Sequence, residues 1–164
     1  MSAWQGFLTW IEGSPLGDAL RDSGVWTYGV INLFHILGIA TLFGSVLALD
    51  LRLMGWRRDT SLVGITTVTM PLAIAGFTIA ALSGLCMLSV NGSEYAGNPF
   101  LPIKFTAIAL ALVNAIVIGR LPAWRERSAR DLAPKEQKQL AVLGGISLVC
   151  WLAAISAGRM IGYW

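Results

Sequence analysis

Four apolar runs, at about residues 25–49, 62–90, 100–119 and 139–161, dominate the chain and are separated by short polar connections. A helix needs roughly 20 apolar residues to cross a hydrocarbon core of about 30 Å. Each run therefore predicts a transmembrane helix, and the four together predict an all-α integral membrane four-helix bundle. The second run is long enough to require tilting, and Pro71 within it predicts a kink, because proline removes a backbone donor and crowds the preceding turn. Ahead of the first run, Trp4, Phe7, Leu8 and Ile11 recur at i, i+3, i+4 and i+7, which predicts a short amphipathic helix over about residues 3–12 lying on the outer surface. Ser14 followed by Pro15 fits the cap and first position of another helical turn. Pro134 marks a helix start a turn or two before the fourth run. No long linker, repeat or second domain interrupts the pattern, so residues 1–164 read as one membrane domain.

The connections orient the bundle. The first carries Arg52, Arg57 and Arg58, and the third carries Arg120, Arg125, Arg127, Arg130, Lys135 and Lys138, whereas NGSEYAGNP between the second and third spans carries no basic residue. Lys and Arg collect on the cytoplasmic side of membrane proteins. The first and third connections are therefore expected inside and both termini outside, which leaves only Arg21, Lys104 and Arg159 as outer cations. Trp26, Tyr28, Tyr95, Tyr163 and Trp164 then fall near the outer interface and Trp56 and Trp124 near the inner one, with Trp151 as a mid-span exception. Asp50 and Arg52, where the first span ends, are expected to form an ion pair with each other or with the third connection.

Composition agrees with the bilayer as solvent: 55% of residues are apolar and 13% charged, about half the charge of a soluble domain. The net charge of +3 is absorbed by topology, so it gives no reason to expect nucleic acid as a partner. No basic residue precedes Arg21 and no small-residue cleavage site follows an apolar core, so a cleaved signal peptide is not expected. Cys86 and Cys150 sit inside apolar runs and read as packing residues. Phosphate-cradling glycine loops, serine elbows and zinc-protease histidine pairs are absent from the sequence, which gives hydrolytic and nucleotide-driven functions no support.

The candidate chemistry centres on His35, the single histidine. Ten residues into the first span, it lies about 15 Å from the outer start. An imidazole at that depth is costly unless paired, coordinated or facing a cavity, so it is either a cofactor ligand or a hydrogen-bonded bridge to a neighbouring helix. Tyr28, Asn32, His35 and Gly38 share one helix face, and Gly38 leaves space for a flat ligand or for another backbone. Gly76, Ala80 and Gly84 on the second span and Ala107, Ala111 and Ala115 on the third form small-residue stripes, suited either to close helix packing or to a flat macrocycle. Lys104 and Arg159 lie about one turn inside the outer ends of their spans. Both can snorkel to headgroups or pair with carboxylates of a bound ligand. Asn114 reads as interhelical glue or as a polar cavity wall. Cys150 near mid-depth, with Met70, Met87 and Met160, makes a copper site with His35 conceivable, although two ligands alone are too few for a closed site.

Three stretches, FHILGIATLFGSVLALDLRLMGW, AGFTIAALSGLCML and YAGNPFLPIKFTAIALALVN, together resemble an uncharacterised family of short bacterial four-helix membrane proteins. In that family a His-containing first helix ends in Asp-Leu-Arg-Leu, and Asn-Pro-x-x-x-x-Lys opens the third. The match covers roughly residues 24–118. More distantly the pattern is similar to CopD-type copper-resistance domains and HemJ-type haem-binding membrane proteins. That resemblance implies a bacterial cytoplasmic membrane, His35 as axial ligand of a b-type haem, and Lys104 as the functional lysine. It departs in having no second histidine, so bis-histidine ligation within one chain is impossible. The expectation is a haem-binding redox, electron-transfer or accessory subunit using His35, Asn32, Gly38, Gly84, Lys104 and Arg159, possible as a homo-oligomer and with a redox partner on the outer side. The alternatives are a copper-handling module and an oligomeric scaffold without cofactor.

Overall fold

The structure, a computed structural model, describes residues 3–129 and 131–164. Arg130, one of the basic residues expected in the third connection, lies outside the described residues. The architecture is all-α: α1 (Ala3–Glu12), α2 (Pro15–Asp22), α3 (Val25–Leu53), α4 (Leu62–Asn91), α5 (Phe100–Arg120), α6 (Pro122–Arg125) and α7 (Pro134–Ile161), with a 3₁₀ turn at Ser93–Tyr95. Four of these, α3, α4, α5 and α7, are long and apolar enough to cross a membrane, which marks the chain as a membrane protein. Helix α3 continues four residues beyond its apolar run, because its last turns stay within the bundle, where Asp50 and Leu53 are buried. Helix α4 runs unbroken through Pro71.

The spans form two hairpins, α3 with α4 and α5 with α7, joined where α3 packs along α7; α4 and α5, consecutive in the chain, make little backbone contact. Glycine sets the first hairpin. A Cβ on Gly38 would lie 2.7 Å from the Ala80 nitrogen, and one on Gly76 would lie 2.5 Å from the Leu42 nitrogen. The two backbones therefore touch, and the Gly76 and Ala80 part of the small-residue stripe is helix packing. In the second hairpin the buried face of α5 runs through Ala107, Ala111, Asn114 and Ile118. Ala115, expected on the stripe, is exposed. Asn114 is interhelical glue: its Nδ2 donates to the Leu143 carbonyl at 3.0 Å. At mid-height, Leu42, Ala111 and Trp151 form a shared core, with Phe77 edge-on to Trp151 at 6.3 Å.

Each end of the bundle is capped. At the end holding both basic connections, Leu53, Leu62, Ile118, Ala123, Trp124 and Leu140 pack together. Trp124, expected in an interfacial belt, is instead buried, because α6 turns it inward and Arg127 lies over its ring at 4.3 Å. The expected ion pair of Asp50 is also corrected. Arg52 donates to the Thr60 and Arg58 carbonyls at 2.6 and 3.3 Å, while Asp50 is buried against α7, where Ser147 lies close to its carboxyl.

At the opposite end, where the described termini lie, Leu8 of α1 is fully enclosed with Leu88 and Leu101. The amphipathic face of α1 thus docks on the bundle, while Phe7 and Trp10 stay exposed. Helix α2 opens as the sequence predicts, with Pro15 in its first turn and Ser14 Oγ accepting from the Gly17 nitrogen at 3.2 Å. Arg21 follows and joins three elements: it donates to the Ser89 and Val90 carbonyls at 3.1 and 3.2 Å and to the Glu12 carbonyl at 2.9 Å. These are carbonyls at the last turns of α4 and α1, which a cation suits. Asn98 ties two further helices, its Oδ1 accepting from the Phe100 nitrogen at 2.9 Å and its Nδ2 donating to the Ile161 carbonyl at 3.3 Å.

Candidate functional site

The half of the bundle nearer the described termini contains a polar cluster with side chains from α3, α4 and α5, the α5 lysine lying along a glycine of α7. His35 on α3 is half-buried. Its Nδ1 lies 3.0 Å from Ser83 Oγ on α4. The Ser83 hydroxyl also bonds back along its own helix, 2.6 Å from the Ile79 carbonyl. A hydroxyl that donates to Ile79 accepts from the imidazole, so the geometry favours the proton on Nδ1. The Ala80 carbonyl on α4 also lies within bonding reach of the ring.

Gly84 lies directly under the ring: a Cβ there would meet His35 Cε1 at 3.0 Å and Nδ1 at 3.4 Å. The absent side chain at 84 therefore makes room for the imidazole itself. Gly38, one turn along α3 from His35, is covered by the α4 backbone. The space left at Gly38 is thus taken by another backbone and that at Gly84 by the imidazole.

Lys104 enters from α5. Its stem lies along Gly158 of α7, where a Cβ would be 3.4 Å from Nζ and 3.5 Å from Cδ and Cε. Among the described residues no carboxylate pairs with its ammonium, and its charge is near enough to act on the His35 ring. Arg159, the neighbour of Gly158, is not part of the cluster. It is exposed and folds back over Tyr163, 4.6 Å from the ring centroid, with its guanidinium donating to the phenol oxygen. Asn32 lies one turn from His35 on α3 and is half-buried. Closer to the bundle end, burial holds the Tyr95 phenol up at about 12, with Tyr28 near enough to add to the shift.

Of the residues expected to form a site, His35, Gly84 and Lys104 come together, Asn32 and Gly38 share the helix face of His35, and Arg159 stands apart. Cys150 packs in the mid-height core around Trp151. Among the described residues, no three His, Cys, Asp or Glu side chains are grouped to hold a metal. Ser83 and Gly158 were not anticipated from the sequence. The signal for Ser83 was present, as a hydroxyl one position from the Gly84 stripe at a depth matching His35; Gly158 had no comparable mark. Chemically, the arrangement offers an imidazole fixed through Nδ1, with the charge of Lys104 acting on it and no carboxylate pairing that lysine among the described residues.

Comparison of the chain with protein-family models, with curated proteins and with solved structures finds no match.

Proposed function

We propose that the chain is a subunit of a bacterial cytoplasmic membrane in which His35 serves as an axial ligand of a b-type haem, working in electron transfer. The observation that carries this reading is the mid-span imidazole anchored through Nδ1 on Ser83 at 3.0 Å, the arrangement in which Nε2 would be the ligating nitrogen. Histidine ligands are commonly oriented by a hydrogen bond from the other ring nitrogen, which fixes both tautomer and ring plane. Ser83 fills that role, Gly84 lets the ring lie flat on α4, and Lys104 supplies a cation of the kind that pairs with a propionate. A bound haem would supply one-electron chemistry, with the chain setting ligand, dielectric and charge around it. Because the chain has one histidine, a second ligand would be another side-chain type or His35 of a second copy.

The visible absorption spectrum of protein made with ample haem tests the reading. A Soret band abolished by His35→Ala and altered by Ser83→Ala is the expected result. No band, or one indifferent to His35→Ala, overturns it. A second reading draws on the same bond: His35 and Ser83 sit on different helices, so the pair can be a structural bridge between α3 and α4. In that case no chromophore copurifies and His35→Ala lowers only thermal stability.

A further inference from the structure

A second ionisable group lies inside the bundle, well removed from His35. Asp50 occurs three residues before the end of α3 and is 2% exposed. The α7 backbone passes tightly over it, since a Cβ on Gly144 would be 3.2 Å from the Asp50 carbonyl oxygen and 3.6 Å from its Cα. One turn further along α7, Ser147, also buried, lies close to the carboxyl. The other carboxyl oxygen, Oδ2, is enclosed with no hydrogen-bond partner.

Among the described residues, no cation forms an ion pair with this carboxyl. Helix α4 carries no acidic, basic or histidine residue from Leu62 to Asn91, and α7 carries no charged residue between Gln139 and Gly158. On α5 the charged residues are Lys104, in the other half, and Arg120, exposed at the helix end. Arg52 is held by the Thr60 and Arg58 carbonyls, and Arg127 by Trp124. A carboxylate sealed from water without a cation is costly, and such a group neutralises instead.

We propose that Asp50 is an exchangeable-proton site, a carboxyl held as the neutral acid between α3 and α7 and able to release its proton to water at the basic end of the bundle. The step is a single O–H ionisation. The proton passes from the carboxyl oxygen to water and returns on uptake, with no electron transferred. Three residues of helix, about 4.5 Å of rise, separate Asp50 from the end of α3, so the route to that end is short. Ser147, close to the carboxyl on the facing helix, helps to hold the acid in place.

Infrared spectroscopy of the intact protein in nanodiscs reads the state of this group. At neutral pH the expected result is a protonated-carboxyl carbonyl band that moves in D₂O, vanishes in Asp50→Asn and shifts in Ser147→Ala. Raising the pH should convert it reversibly to carboxylate while the protein stays monodisperse. Asp50→Asn approximates the neutral acid in shape and should assemble; Ser147→Ala gives a second readout that does not depend on it. Absence of the band, or its survival in Asp50→Asn, overturns the proposal. So does a band that never titrates in assembled protein, which would mark a fixed structural acid, or one displaced by sodium chloride at constant pH, which would assign a metal cation. His35→Ala should leave the band unchanged, so the result is separate from the haem test.

Discussion

Single residues decide how closely these helices approach, and glycine gives the sharpest test. Gly76 is pressed against the Leu42 backbone, whereas Gly29 and Gly44 on α3 have nothing within 4 Å of a built Cβ. Gly76→Ala must therefore separate α3 from α4, and overpacking of this kind costs about 1–3 kcal/mol. Gly29→Ala and Gly44→Ala should be neutral or slightly stabilising. Thermal unfolding of the three variants in one detergent checks the contrast, and equal melting temperatures would contradict the packing described. Gly84 is intermediate, because its neighbour is a side chain that can move. Gly84→Ala should displace the His35 ring and weaken its bond to Ser83. Ser83→Ala removes that bond and should cost about 0.5–1.5 kcal/mol, the usual net contribution of a hydrogen bond. Much of this was legible before the structure: a lone mid-span histidine and a small-residue stripe are conspicuous in an apolar run. Which of their uses applied was not legible, because Gly38 and Gly84 look alike in sequence yet one faces a backbone and the other an imidazole.

At the scale of elements, the four spans were readable because length and apolar content alone define them. Their buried faces were harder to read, since leucine and valine serve lipid and core equally. Ala115, placed on the α5 stripe by spacing, faces outward, and Asn114 beside it faces in. The same difficulty hid the setting of Asp50, whose neighbour Arg52 suggested an ion pair, because only packing against α7 reveals that the carboxyl turns inward. The docking of α1 was half legible: its amphipathic period was clear, but the bundle end that receives Leu8 could not be read from it. That docking is held by Arg21 and by Glu12, whose Oε2 accepts from the Ser93 nitrogen at 2.5 Å. The Ser93 bond holds the Glu12 carboxyl below the ordinary carboxylate range. A lowered folded value stabilises the docked form above the ordinary range, and the effect is lost as pH falls through the lowered value. Solvent keeps the effect small. The protection factors of the α1 amides, measured against the intrinsic exchange rate at each pH, should accordingly fall modestly in acid, and Glu12→Gln should remove that dependence. Arg21→Ala, which strips three carbonyls of their donor, should loosen α1 at every pH.

For the whole molecule, arrangement follows from the separation of charge along the bundle. Arg52, Arg57, Arg58, Arg120, Arg125, Arg127, Lys135 and Lys138 belong to one end, and the cations of the other, Arg21, Lys104 and Arg159, each have a local setting: helix carbonyls, the Gly158 groove and Tyr163. The outer cations therefore do not compete with the positive-inside bias, which predicts that the basic end faces the cytoplasm and both termini face outward. Cysteine accessibility in intact cells tests this orientation, in a background where Cys86 and Cys150 are replaced by alanine. Ser93→Cys, in the exposed turn between α4 and α5, should react with a membrane-impermeant maleimide from outside. Arg57→Cys and Arg125→Cys should react only after the membrane is permeabilised. The reverse pattern would invert the bundle, placing the His35 cluster in the cytoplasmic half and Asp50 near the outer surface, with its proton exchanging outside the cell. Mixed labelling at each position would mean that the basic connections do not fix a single insertion.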